Sequence, residues 1–244
     1  MVSRGAASGA APPGTGSIER FVVAQDGGLI EGCRCGTSIE TAFIELDRGR
    51  KTSHWIWYVL PQFLDRRRDS VRNSMFQIRS LEEGIEYLAH PVLFQRLYRT
   101  HKMINTQLMK LVEGSKVRAE GKKEPVKQLM GTAVDAKKLH QSSTTFYLII
   151  SHLLLLGDSE SSELRPLANL VDSNLDLIAS HPYRPGKFAK LDVDMVSRME
   201  EELHREESAK AAHERVSREA NPRERQGGGA ATGTASEGEG SAAD

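Results

Sequence analysis

With 244 residues, 39% of them hydrophobic and 27% charged, the chain can bury one full-sized core, so one globular domain with tails is expected. Lys plus Arg and Asp plus Glu number 33 each, which removes the strongly basic signature of a dedicated nucleic-acid binder. The only cysteines, Cys33 and Cys35, flank a single residue, and a bridge between them would be strained. A disulfide-stapled secreted fold is therefore not expected, and a reducing compartment fits.

Residues 1–17 are mainly Gly, Ala, Ser and Pro with one Arg4 and no apolar stretch of signal-peptide length, so they read as a disordered leader. The expected location is cytoplasmic, with the nucleus as an alternative and organelle transit a weaker one. Ser17 is placed to cap a helix over Ile18–Gln25, and Thr37 with Glu40 forms a capping-box pattern ahead of Ile39, Ala42, Phe43 and Leu46. Asp26–Gly36, with four glycines and both cysteines, reads as a surface loop, and Gly49 as a left-handed stop.

Trp55–Leu60 is short, aromatic and β-rich and ends at Pro61; it is expected as either a strand or a buried segment entering a turn. Ser80 and Glu83 repeat the capping-box pattern before Leu81–Ala89, and Pro91 suits the first turn of the next helix. Leu93, Leu97, Ile104, Leu108 and Leu111 keep one face apolar as far as Gly114. Gly114–Pro125 then reads as an exposed basic loop. A helix from Asp135 through Leu154 and an amphipathic set at Leu164, Leu167, Leu170 and Val171 complete the core.

The most apolar run, Phe146–Leu156, contains Ser151 and His152 and falls short of the ~20 residues that cross a bilayer, so no membrane partner is expected. Residues 181–220 form a linker and a charged helix with a narrow stripe of Val193, Val196, Met199 and Leu203. That helix can lie on the core by its first turns or dock a partner helix in coiled-coil fashion; a solvated face is the plainer reading. Residues 221–244 read as a disordered tail. The expected fold is all-α: a single compact helical domain over 18–180, a C-terminal charged helix, and disordered tails.

Two blocks concentrate chemistry. The first runs from Gly49 through Lys51, Thr52, Ser53, His54, Trp55, Trp57 and Pro61 to Gln62, and holds both tryptophans of the chain. The second runs from Gly131 through Asp135, Lys138, His140 and Thr144 to Phe146. Together with Ser70, Ser74, Phe76, Ile78, the Ser80–Gly84 stretch and Tyr87–Leu93, these blocks resemble the domain of unknown function 1810 family. Its hallmark is a Gly-Arg/Lys-Lys-x-Ser-His-Trp-x-Trp block ending in Pro-Gln, and the resemblance covers about residues 18–156. It implies a compact helical fold and the place of a site, names no reaction, and leaves the cofactor unknown. This chain departs from the family pattern at Phe63–Asp69, where relatives carry a Gly-Leu-Gly turn, and at Lys138–Gln141. Asp26–Gly36 and part of Gly114–Pro125 look like insertions.

In the first block His54 is read as a proton donor, acceptor or ligand contact, Trp55 and Trp57 as flat walls, and Lys51, Ser53 and Gln62 as polar contacts. The alternative makes His54 a structural histidine and both tryptophans core packing. With the tryptophans as core anchors and His54 facing a pocket, Trp57→Ala is expected to unfold the domain and His54→Ala to leave it folded but weaken ligand binding. In the second block Asp135, Lys138 and Thr144 are read as site residues, against an alternative of an N-cap aspartate with an exposed ion pair. A site role requires the two blocks to converge.

No metal is assigned, because Cys33-x-Cys35 has no companion pair at zinc spacing. Walker, dinucleotide-glycine and nucleophile-elbow motifs are absent. The expected function is binding of, or action on, a small anionic or phosphate-bearing molecule in an aromatic and polar pocket. The alternative is a protein-interaction scaffold using residues 192–220.

Overall fold

The structure is a computed structural model; it describes residues 17–30, 36–65, 75–117, 124–156, 163–181 and 189–220. The expected leader, tail, cysteines and the departure through Asp69 lie wholly or partly outside these residues. The chain divides into two units, Met1–Leu203 and His204–Asp244.

The described residues form nine helices and no strand: α1 (Glu19–Gln25), α2 (Ile39–Asp47), α3 (Ile56–Val59), α4 (Leu81–Ala89), α5 (Pro91–Val117), α6 (Pro125–Met130), α7 (Ala133–Leu156), α8 (Leu164–Ser180) and α9 (Val193–Ala220). In the first unit the long helices α5 and α7 both pack on α8. Helices α2 and α4 pack on α5, and α3, α4 and α6 on α7. The all-α expectation holds.

Local signals place most ends. Ser80 Oγ accepts from the Glu83 N–H, Pro91 opens α5, and Gly49 adopts φ +73° after α2. Four expectations are corrected or decided. The cap of α2 is Ser38, whose Oγ accepts from the Thr41 N–H, while Thr37 offers its carbonyl to the Tyr58 hydroxyl at 2.7 Å. Of the two readings of Trp55–Leu60 the strand falls and the buried segment holds: Val59 N–H donates to Trp55 O and Leu60 N–H to Ile56 O, closing a single helical turn. The helix α5 passes Gly114 and ends at Val117, and α6 begins at Pro125 after the part of the basic loop that lies outside the described residues.

The fourth concerns α9. The buried row of its first turns is Met195, Met199 and Glu202, whereas Val193 is 63% exposed. Asp192, not an apolar residue, sets the start: its Oδ1 accepts from the Met195 N–H at 2.9 Å. The first unit runs to Leu203. In the second unit the described side chains from His204 to Ser217 are exposed except for that of Glu206.

Two buried polar devices tie the core. Arg20, fully buried, donates to the carbonyls of Ser17, Met75 and Gln77 and pairs with Glu83 at 2.7 Å, so its charge keeps partners on every nitrogen. On α7, the six residues His140–Thr145 are all buried although all are polar. Thr144 and Thr145 return their hydroxyl protons to the carbonyls four residues back. Their oxygens then accept from Asp192 N–H and Phe63 N–H, and His140 Nε2 meets Lys190 O at 2.9 Å. This face of α7 thus clasps two other segments of chain.

Candidate functional site

The loop from Gly49 to Trp55 is held from below by one carboxylate. Glu45, on α2, accepts from Thr52 N–H and Oγ1, Ser53 N–H and Trp55 Nε1, at 2.7 to 3.1 Å. Burial pushes this carboxyl up, but the hydrogen bonds from Thr52 and Ser53 outweigh it and hold it at about 2. Glu45 is therefore ionised, its charge met by dipoles, and it fixes the loop's course. Trp55 is wholly buried in consequence.

The same loop is pinned from the side. Lys51 N–H donates to Leu129 O at 2.7 Å, which brings the end of α6 against it. Gly131 follows with φ +79°, and a Cβ there would meet Lys51 O at 2.8 Å, so both the turn and the close approach require glycine. Thr132 then caps α7 through its Oγ1, which accepts from Asp135 N–H at 3.0 Å. Asp135 is not the cap; it sits in the first helical turn with its carboxylate turned to the loop.

That turn joins the two blocks. Lys51 Nζ meets Asp135 Oδ2 at 2.6 Å and donates to Ser53 O at 2.7 Å. Lys138, one turn along α7, has its Nζ 3.9 Å from Asp135 Oδ1 and 4.6 Å from the centroid of the Trp57 ring. His54 lies parallel to Trp57, with ring centroids 6.3 Å apart and planes 7° from parallel. His54 is exposed and Trp57 half-buried. Burial lowers the Lys138 pKa; Asp135 pulls it back up and the Lys51 charge lowers it further.

The structure thus gathers Lys51, Ser53, His54, Trp55, Trp57, Asp135 and Lys138. Two residues read as part of the site stand apart. Thr144 is buried in the clasp on Asp192, and Gln62 sits beyond α3, its carbonyl accepting from Ile78 N–H at 2.9 Å. The two tryptophans, expected to share one duty, divide: Trp55 is core and Trp57 is surface. Glu45 was missed by sequence reasoning. Its one local signal is a carboxylate beside the apolar face of α2, three residues after Ala42.

Among the described residues no three His, Cys, Asp or Glu side chains are grouped to hold a metal ion. The Ser53 hydroxyl is buried without a hydrogen-bond partner among them. Chemically, the outer face offers a flat indole, an exposed imidazole and the Lys138 ammonium, with the buried Lys51 ammonium behind it sharing one carboxylate.

Fold and site together define an all-helical domain with a lysine and aromatic cluster at the junction of a loop and the first turn of a long helix. The family described as a protein of unknown function (DUF1810) matches residues 15–153, and the chain belongs to that family. The chain is also similar to the crystal structure of the conserved hypothetical protein Rv1873 from Mycobacterium tuberculosis. Identity is 24%, over 67% of this chain and 86% of that chain, with a TM-score of 0.43. No curated protein matches the chain. No helix among the described residues is long and apolar enough to cross a membrane.

Proposed function

We propose that this domain binds a small anionic molecule bearing a flat ring, on the face made by His54, Trp57 and Lys138. One observation carries the reading: Lys138, rooted in one block, rests on the ring of Trp57 in the other, with the exposed His54 parallel to that ring. The charge balance agrees. Glu45 is engaged by four donor groups on the inner side, which leaves the buried Lys51 and the partly exposed Lys138 to share Asp135 alone. An indole supplies contact area at low entropy cost, and the lysine supplies the charge that selects a phosphate or carboxylate.

A thermal-shift titration with inorganic phosphate, nucleoside monophosphates and aromatic carboxylates tests it. A ligand at roughly a hundred times its Kd stabilises by about 2.7 kcal/mol. The stabilisation is expected to vanish in Trp57→Ala and Lys138→Ala and to persist in Lys190→Ala, far along the chain. Binding that survives both site substitutions would move the ligand elsewhere.

The scaffold reading has less support. The first turns of the proposed docking helix commit Met195 and Met199 to the interior of the first unit. Between His204 and Ser217 the one large apolar side chain is Val216, which gives a partner helix no stripe to grip.

A further inference from the structure

Two lysines share one carboxylate on this face, and they share it unequally. Lys51 takes Asp135 Oδ2 at 2.6 Å and spends a second proton on Ser53 O at 2.7 Å. Lys138 stands 3.9 Å from Asp135 Oδ1, too far for a hydrogen bond. Among the described residues the Lys138 ammonium makes no hydrogen bond, although it has three protons to donate. Its side chain is 14% exposed, so it is mostly desolvated yet open to a molecule lying on Trp57, whereas Lys51 at 4% is closed off.

These surroundings lower the cost of releasing a free amine. Burial withdraws water from the charged form, Lys51 places a second positive charge nearby, and Asp135, already held by Lys51, compensates only in part. The Trp57 face pulls the other way, since it attracts the cation. A lysine desolvated beside another cation is a recognised nucleophile toward carbonyl carbon.

We propose that Lys138 captures an aldehyde or ketone on this face as an imine, with Asp135 relaying the protons. Through one bridging water across the 3.9 Å gap, Asp135 accepts a proton from the Lys138 ammonium, freeing the Nζ lone pair. That pair forms the C–N bond as the carbonyl π electrons move to oxygen, and a proton passes from nitrogen to that oxygen to give a carbinolamine. Asp135 then returns its proton to the hydroxyl, the C–O bond breaks, water leaves, and the nitrogen lone pair closes the C=N bond. The sum is an ammonium and a carbonyl compound giving a protonated imine and one water, with no oxidant or reductant. The inference rests on the binding reading only for how the carbonyl compound is delivered.

The test uses the full-length protein and two probes. Pyridoxal 5′-phosphate is an anionic aromatic aldehyde; pyridoxine 5′-phosphate has the same ring and phosphate but cannot form an imine. Aldehyde trapped with cyanoborohydride and mapped by peptide mass spectrometry is expected mainly on Lys138, several-fold above Lys127 and Lys190, which are 50% and 38% exposed. Lys138→Arg keeps a cation over Trp57 and should abolish this adduct, and Asp135→Asn should slow its formation, both with an unchanged circular dichroism spectrum. Labelling of Lys138 no greater than that of Lys127 and Lys190 overturns the inference. Pyridoxine phosphate separates the two readings: if it binds and Lys138 is not trapped, the imine fails and the binding face stands. If it does not bind and Lys138 is trapped, the imine stands without the proposed anion site.

Discussion

Trp55 and Trp57 stand two residues apart and face different worlds. Trp55 is fully buried, its Nε1–H given to Glu45, with Lys51 5.3 Å from its ring centroid. Trp57 is half-buried, lies parallel to an exposed histidine and carries a lysine whose ammonium makes no hydrogen bond among the described residues. The turn of α3 between them produces the difference: a strand would have put both rings on one face, because its side chains repeat every two residues, whereas a helical turn sets them far apart around the axis. One short segment thereby anchors the core with one indole and builds an outer face with the other.

The largest expected effect lies on the inner side. Trp55→Ala removes a wholly buried indole and leaves a donor-hungry carboxylate beneath the loop, at a cost of about 3–5 kcal/mol. Trp57→Ala, at a half-buried position, should cost about 1 kcal/mol, which revises the expectation that it unfolds the domain. Urea melts of the two variants decide it, and a larger loss for Trp57→Ala would invert the assignment.

Glu45 comes next. Glu45→Gln keeps the size but turns an amide donor toward groups that are themselves donors, costing about 2–3 kcal/mol. The pH dependence has a definite sign. The folded pKa lies below the ordinary carboxylate value, so the stabilisation is complete above pH 4.5 and is lost as pH falls through about 2. Its full size is about 3 kcal/mol. Melts at stepped pH should show this acid loss in the wild type and not in Glu45→Gln.

An interior histidine away from the site calibrates that profile. His101 on α5 is fully buried, receives the Asn174 side-chain N–H, and is lowered by burial to about 4. It is neutral in the fold, so its contribution is present above pH 6.5 and is lost as pH falls through about 4, ahead of Glu45. His140, also lowered by burial, contributes with the same sign. In His101→Gln the loss between pH 6.5 and 4 should shrink while the lower step stays. Unchanged melts over that range would show that His101 does not titrate with unfolding.

How much of this was legible follows from the range of each interaction. Ser80, Gly49 and Pro91 act on residues within a turn of themselves, so local chemistry sufficed, and the long apolar periods of α5 and α7 named the core. Trp55–Leu60 carried β-rich residues, but burial of Trp55, Ile56 and Tyr58 overrode that preference. The stripe of α9 was misplaced because Asp192, not Val193, sets the helix phase on the clasp of α7. Rare residue types pointed to the two blocks. Arg20 and Glu45 stayed hidden because a buried charge looks like a surface one until its partners arrive from elsewhere in the chain.

The smallest expected effect is the sharpest on function. His54 is exposed, and its one aromatic neighbour is Trp57, with no hydrogen bond or ion pair among the described residues. Its removal orphans no buried group and opens no cavity, so His54→Ala should change stability by less than about 0.5 kcal/mol. What it removes is one wall of the face: a ring bound against Trp57 would lose its parallel neighbour. Any phosphate- or carboxylate-bearing ligand found by thermal shift should bind His54→Ala more weakly by about 0.5–1.5 kcal/mol, the usual worth of an aromatic pair, and His54→Phe should restore most of it. Restoration by phenylalanine would assign the histidine a stacking role. Failure of phenylalanine where glutamine succeeds would assign it a hydrogen bond to the ligand, and a loss of stability comparable to that of Trp55→Ala would return His54 to the core and leave the outer face without its second wall.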